Sequence, residues 1–377
     1  MSYNILGINP FHNGSACVLS DGEIVYFLEE ERLSKRKYDP NPFRVILDIL
    51  NSFKIDKVIV AGINDDRRYL CYTNECPFEA LIHKYHPKIP VSNFSIFHHS
   101  THATQAFYNS GFLESLGIVI DGGGSFIDGK GREKDSLYTH SLKKGHKTLF
   151  KNYLPNPTMN AKTELGIASA YSAVNEYLGF KTNEEGKTMG LSSYGKFNDL
   201  FPNLFTKNFL SNTNFLYECL EIENDEFTDQ KSLIYKYKLT LPTFPSSQLF
   251  LDRSKNPSKI TQKEKDLAWK IQNDTQQIAG DLIEKGLKET GLKQVCCSGG
   301  YFLNCVANYY LIKRFPDIKF YFEPISHDGG TAIGAALMEW HQLTDDQTSR
   351  PLKSLYLGKH YSKDELLEGI KNYTCEN

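Results

Sequence analysis

Three of the chain's 11 histidines fall within five residues, in Phe97-His98-His99-Ser100-Thr101-His102-Ala103. On a helix, His98 and His102 are i and i+4, so both imidazoles leave one face and can ligate one metal ion. His99 points elsewhere on that helix and suits packing or support of the other two. The competing reading is chance, because helix-surface histidines often have this spacing. Two carboxylates stand at strand ends before glycine turns: Asp121 in Asp121-Gly122-Gly123-Gly124, and Asp328 in Ser326-His327-Asp328-Gly329-Gly330. Such a carboxylate can hold a divalent cation, and glycines let backbone N–H groups approach phosphate oxygens. A hairpin with glycines at positive φ explains one such turn equally well. A third turn, Ser298-Gly299-Gly300 through Asn304, sits between a strand and a helix start, as phosphate- or adenosine-binding turns do. In Glu185-Gly186-Lys187 the lysine can meet phosphate or other substrate oxygens as a point charge, or can be a solvated loop lysine.

The elements that must position these groups follow from periodicity. Asn4–Asn9, Ser15–Leu19 and Glu23–Leu28 predict a three-stranded meander, with Asp21-Gly22 as one turn. Val45, Ile46, Ile49, Leu50 and Phe53 give Phe43–Phe53 one apolar helical face, and Val58–Ala61 reads as a buried parallel strand. Meander, helix and buried strand describe a ribonuclease-H-like lobe. The order recurs. Leu116–Ile120, Leu137–Leu142 and Thr148–Leu154 predict strands, and Glu164–Leu178 a helix ending at Gly179. A helix over Glu264–Leu287, strand Gln294–Cys297, helix Asn304–Arg314, strand Ile318–Glu323 and helix Gly330–Gln342 follow. The expected class is α/β, a two-lobed actin-like fold with a nucleotide cleft between duplicated lobes, as in sugar-kinase-like phosphotransferases. The expected boundaries are 1–115 for the first lobe, 116–342 for the second and 343–377 for a tail. The irregular stretch 198–258 reads as an insertion over the cleft mouth.

Composition narrows the class. At 377 residues the chain exceeds the usual limit of one core, and 40% hydrophobic residues suffice for two. With 43 Lys+Arg against 45 Asp+Glu the net charge is −2, which excludes a broadly basic nucleic-acid-binding surface. No apolar run is long enough to span a bilayer, and the N-terminus lacks signal-peptide features, so a cytoplasmic location is expected. The eight cysteines suit reduced thiols better than disulfides. Cys71 and Cys76 would make at most half a zinc site, with no second pair at metal spacing.

The motifs together resemble the O-carbamoyltransferase family of nodulation-factor, cephalosporin and tobramycin biosynthesis. The matching residues are Gly7-Ile8 through His12, Ser15-Ala16, Glu29-Glu30-Glu31-Arg32 with Lys37, His98-His99 to His102-Ala103, and Asp121-Gly122. They continue with Glu185-Gly186-Lys187, Met189-Gly190-Leu191, Ser298-Gly299-Gly300, Leu303-Asn304, Asp328-Gly329 and Gly334-Ala335-Ala336, over about residues 5–340 in family order. The threonylcarbamoyl-transferring subunit of the tRNA-modification machinery shares the His-x-x-x-His pair. The resemblance implies that His98, His102, Asp121 and Asp328 hold a metal ion. It also implies that Gly122, Gly123, Gly124, Lys187, Gly299, Gly300 and Asn304 contact a carbamoyl-adenylate. His12 would then orient the carbamoyl group or take the acceptor's proton, a role its ordinary pKa permits, and Lys187 would join it as a catalytic group.

The expected activity is transfer of a carbamoyl group from carbamoyl-adenylate, made upstream from ATP and carbamoyl phosphate, to an acceptor hydroxyl. Iron, manganese or zinc suits two imidazoles and two carboxylates better than calcium does. Expected partners are a small-molecule hydroxyl acceptor and a separate synthetase domain or subunit. The synthetase is expected because Pro351–Gly358 resembles the start of that domain and few residues follow. A homodimer is open, and nucleic acid is disfavoured by charge. Two other classes compete: a nucleotide-binding partner subunit without activity of its own, and an actin-like or sugar-kinase-like ATPase. The histidine pair beside two carboxylates favours the transferase, since those phosphotransferases rely on carboxylates and water around Mg²⁺.

Overall fold

Apolar runs bounded by tight turns build the first sheet. In a computed structural model of the chain, β1 (Asn4–Asn9) is wholly buried, and β2 (Ser15–Ser20) and β3 (Glu23–Glu29) fold back antiparallel on it. The residues described are 2–63, 77–127, 130–154, 166–201, 204–205, 220–221, 238–239, 260–359 and 361–371. The one-turn helix α1 (Glu30–Ser34) leads into α2 (Phe43–Ser52), whose Val45, Ile46, Ile49 and Leu50 are buried as the periodicity requires. Glu30 starts α2 from a distance: its buried carboxylate accepts from the backbone N–H groups of Arg44 and Val45 at 3.1 and 3.2 Å. Two parallel strands, β4 (Lys57–Val60) and β5 (Val91–Asn93), complete the order β3-β2-β1-β4-β5, with α3 (Pro77–Tyr85) between them.

The second sheet repeats that pattern. After α4 (His98–Ser110), β6 (Glu114–Ile120) pairs antiparallel with β8 (Gly131–Ser141), and β8 with both β7 (Phe126–Ile127) and β9 (Gly145–Leu154). On the other side of β6, β12 (Gln294–Ser298) and β13 (Lys319–Phe322) run parallel. The path β9-β8-β6-β12-β13 has the same sense and connectivity as the first sheet, which is the duplicated actin-like fold. Helices α5 (Ile167–Tyr177), α6 (Glu185–Ser192), α7 (Gln262–Thr290) and α8 (Cys305–Arg314) belong to this half. A capping box joins Thr261 and Glu264 at the start of α7.

The two halves meet through helices. α9 (Thr331–Thr344) packs on β1, β2 and β4 of the first sheet and against α4, which in turn lies on β6 and β12. Contact is close because the residues are small: a Cβ on Gly334 would fall 2.0 Å from the Thr101 carbonyl oxygen. Thus α4, which carries the histidines, is buried on nearly all sides. The tail then crosses the surface, with Leu352 N–H donating to Asn109 and Phe27 N–H to Leu357. It ends in α10 (Lys363–Lys371), which has no buried residue.

Several elements differ from expectation. β8 begins six residues before Leu137 because Glu133, Lys134 and Asp135, which a pattern assigns to solvent, are buried in it. Lys187 stands on a helix, not a loop. The two glycines of α6 are poor helix formers, but Leu191 enters the core and the buried Thr188 hydroxyl donates to Asn175 at 2.7 Å. The short α3, β5 and α10 are additional to the expected elements. Of stretch 198–258, only 198–201, 204–205 and the paired strands β10 (Leu220–Glu221) and β11 (Lys238–Leu239) are described, so the insertion expected there lies largely outside the described residues. Cys71 and Cys76 lie wholly outside them. Cys17, Cys296 and Cys297 are buried free thiols. Among the described residues no helix is long and apolar enough to cross a membrane.

Candidate metal centre

Helix α4 starts at His98, and one turn on His102 presents its ring to the same side, with centroids 4.7 Å apart. Asp121 follows β6 directly, and Asp328 opens the 3-10 turn that leads into α9. The fold brings these four residues together: one ligand atom from each lies within 4.8 Å of the other three, and all four residues are buried. His98 Nε2 is 3.5 Å from Asp121 Oδ2 and 3.7 Å from Asp328 Oδ1, and His102 Nε2 is 3.6 Å from Asp328 Oδ1. Ligands bound at about 2.1 Å around one tetrahedral ion stand about 3.4 Å apart, close to these spacings.

The surroundings aim each ligand inward. His98 Nδ1 is 3.1 Å from the Gly62 carbonyl, which holds a proton there and turns Nε2 toward the centre, where it can ligate once its own proton is lost. His102 Nδ1 meets Ser298 Oγ at 3.3 Å. Asp121 Oδ1 accepts from Gly300 N–H at 2.9 Å, turning Oδ2 toward His98. His102 Nε2 and Asp328 Oδ2 are buried without a conventional hydrogen bond. A buried His102 Nε2 without a conventional hydrogen bond, two carboxylates and two inward imidazoles fit a divalent transition ion.

Electrostatics agree. Burial penalises a charged His98, yet Asp328 and Asp121 outweigh it and push its pKa up to about 9. Burial likewise works to raise Asp121, but the hydrogen bond from His98 and the charges of the surrounding histidines hold it well below the usual carboxylate range. Burial also opposes ionisation of Asp328, and His12, His98 and His102 more than offset it, lowering its pKa. The pocket therefore stabilises negative oxygens and attracts positive charge. His99 is different: burial pushes it down to about 4, and its Nδ1 is 2.8 Å from Ser136 Oγ.

The remaining candidates divide into two groups. His12, half exposed, lies at the rim, its Nε2 3.1 Å from Asp328 Oδ2 and its Nδ1 3.0 Å from Asn13 Oδ1. Asp328 is the main reason its pKa is raised. Gly122 faces open space, as a ligand-facing glycine would. Gly123 and Gly124 make room for Arg132 and for His99 with Glu133, while Gly299, at φ +97°, lets its backbone pass where a Cβ would fall 2.3 Å from the Ile120 carbonyl oxygen. Gly300 serves Asp121. Asn304 is engaged within the protein: its Oδ1 caps α8 by accepting from Ala307 N–H at 3.0 Å, and its amide donates to Gln272 Oε1 at 2.8 Å. Lys187 is half exposed and pairs with Glu184 at 2.7 Å rather than with the four clustered residues. Tyr38, in the first half of the chain, donates its hydroxyl to the Asn183 carbonyl of the second at 3.1 Å.

Sequence reasoning missed the supports, namely the Gly62 carbonyl, Ser298, Asn13 and the Glu133–Lys151 ion pair beneath the Gly122–Gly124 turn. Only Ser298 had a signal, its place in the Ser-Gly-Gly turn.

Comparisons with known proteins point the same way. The family model described as carbamoyltransferase N-terminus matches residues 79–337, which include all four residues of the cluster. The nodulation protein NolNO of Sinorhizobium fredii is 28% identical over 95% of this chain and 50% of its own length. The nodulation protein NolO of Bradyrhizobium diazoefficiens is 28% identical over 72% of this chain and 43% of its own. The chain thus spans about half the length of these curated relatives. Among solved structures, HypF of T. kodakarensis superposes with a TM-score of 0.51 at 13% identity, over 92% of this chain and 49% of that one, a likeness of fold. With more than half of its length matched by the family model, the chain belongs to the carbamoyltransferase N-terminus family.

Proposed function

We propose that this chain transfers a carbamoyl group from carbamoyl-adenylate to an acceptor hydroxyl, in the cleft above His98, His102, Asp121 and Asp328. The observation that carries the reading is the buried cluster of two imidazoles and two carboxylates in a carbamoyltransferase-family fold. An iron, manganese or zinc ion held by these four would supply fixed positive charge against the adenylate phosphate. The chain's own residues do the rest. Gly122, open on its cleft side, gives the nucleotide phosphate access beside Asp121. His12 has acceptor oxygens at both ring nitrogens, Asn13 Oδ1 and Asp328 Oδ2, an environment that favours the imidazolium.

Held charged by these two contacts, His12 at the rim would stabilise through its positive charge the negative charge that grows on the carbamoyl oxygen in the tetrahedral transition state. The acceptor oxygen forms the new bond to the carbamoyl carbon, and the bond from that carbon to the phosphate oxygen breaks. AMP leaves with the electron pair, and the hydroxyl proton departs with the phosphate. The acceptor is a small-molecule hydroxyl, and the adenylate is made upstream from ATP and carbamoyl phosphate.

The test is to supply enzymatically generated carbamoyl-adenylate to the metal-loaded chain with a panel of polyhydroxylated acceptors. The account expects AMP release together with gain of one carbamoyl group by an acceptor, seen by mass spectrometry. AMP release no faster than with a His98→Ala, His102→Ala double variant would overturn it.

A further inference from the structure

We propose that His327 and Glu29 are a positioning pair that fixes the aim of Asp328, an inference that rests on the metal-centre reading. Asp328 needs such help. Its Oδ2 has no conventional hydrogen bond, and its nearest polar neighbours are the rings of His12, His98 and His102. Its remaining support is the turn beneath it, which sets the direction of the side chain.

That turn is held from three sides. The Thr331 hydroxyl donates to the Asp328 carbonyl at 2.6 Å, and the Ser15 hydroxyl donates to the Gly329 carbonyl at 2.6 Å. The third hold is the His327 ring, which caps the 3-10 turn by accepting from Gly329 N–H at Nδ1, at 3.1 Å. Accepting at Nδ1 puts the ring proton on Nε2. There Nε2 lies 3.3 Å from Oε1 of Glu29, the last residue of β3.

Glu29 is buried; Arg32 Nη2 lies 3.6 Å from its Oε2, while Oε1 has no conventional hydrogen bond among the described residues and faces His327 Nε2. Gly329 fits the same picture, because a Cβ there would fall 2.8 Å from both Glu29 Oε1 and His327 Cε1. The pair closes over the glycine. Strand β3 of the first sheet thereby orients a ligand almost 300 residues later in the chain. Carboxylate–imidazole contacts behind a metal site commonly change affinity by about 10- to 100-fold when removed.

The experiment titrates the metal-free full chain with Zn²⁺ against a chromophoric chelator and records the melting temperature of each metal-free variant. His327→Ala is expected to weaken Zn²⁺ binding on the order of 10-fold. His327→Asn, whose Oδ1 can cap Gly329 N–H but cannot reach Glu29, should recover part of the loss. Glu29→Ala should match His327→Asn, with metal-free melting close to wild type for both. Zn²⁺ affinity unchanged in His327→Ala and Glu29→Ala overturns the pair, as does a loss that merely tracks lowered metal-free melting. Absence of Zn²⁺ binding by wild type, or full binding by His98→Ala, overturns the metal centre itself and the pair with it.

Discussion

A histidine cluster lies at each end of helix α4, and the two have opposite chemistry. At its start, His98 is fully buried among Asp121, Asp328 and His102, and its pKa rises to about 9. Near its end, Phe107 and Tyr108 pack against His140 and His146 from the second sheet. His140 is almost as buried, at 2% exposure, but its Nδ1 faces His146 Nδ1 at 2.6 Å, and Tyr108 OH meets His146 Nε2 at 3.0 Å. Burial therefore pushes His140 well below its ordinary value, with His146 adding to the shift. Equal burial and equal residue type give opposite preferences for charge. The carboxylates make the difference: two of them convert buried imidazoles from groups that repel a cation into a site that attracts one.

The sharpest way to break this comparison is to remove ligands from each end. His98→Ala or His102→Ala should cut metal affinity by on the order of 100-fold or more, since loss of a ligand exceeds loss of its outer support. His140→Ala and His146→Ala should retain full metal content by elemental analysis.

Proton competition sharpens it next. In the metal-free protein His98 has a raised pKa, so its contribution to stability is complete below about 6.5 and is lost as pH rises through about 9. Metal needs the neutral ring, so metal affinity should climb across that same window, and His98→Ala should flatten the stability slope. His140 has the opposite sign: its contribution is present above 6.5 and is lost as pH falls, and His140→Gln should weaken that acid slope. Denaturant midpoints measured against pH distinguish the two.

A smaller effect is expected at Gly300. A Cβ there comes 3.2 Å from Asp121 Oδ1 and crowds the oxygen that Gly300 N–H now holds. Gly300→Val should weaken both metal and adenine-nucleotide binding several-fold by calorimetry. The smallest effect is expected from His99→Gln. Neutral His99 touches Ser136 rather than the ligand cluster, so metal affinity should stay within about threefold of wild type, and thermal stability should fall instead.

These contrasts also explain what was legible in the sequence. The first sheet was readable because β1 to β3 are apolar runs cut by tight turns, and the i, i+4 histidines are a local pattern. Asp121 and Asp328 were readable because each stands before a glycine turn, although only Asp121 directly follows a strand; Asp328 lies six residues past the end of β13, at the 3-10 turn before α9. What pairs them is tertiary: Gly62 carbonyl on His98 and Ser298 on His102 join residues 36 and 196 positions apart. Spacing alone could not separate a ligand-facing amide from the helix cap that Asn304 forms, nor a cleft lysine from the Glu184 partner of Lys187. Nor could it distinguish His98 from His140, whose difference lies in neighbours far away in sequence.

The central claim is that one ion sits among His98, His102, Asp121 and Asp328, and anomalous diffraction from crystals of the metal-loaded protein tests it most directly. The account predicts a single strong peak about 2.1 Å from His98 Nε2 and His102 Nε2, with both carboxylates in its coordination sphere. A peak at His140 and His146 instead, or a metal-loaded crystal with no peak among the four, would contradict it.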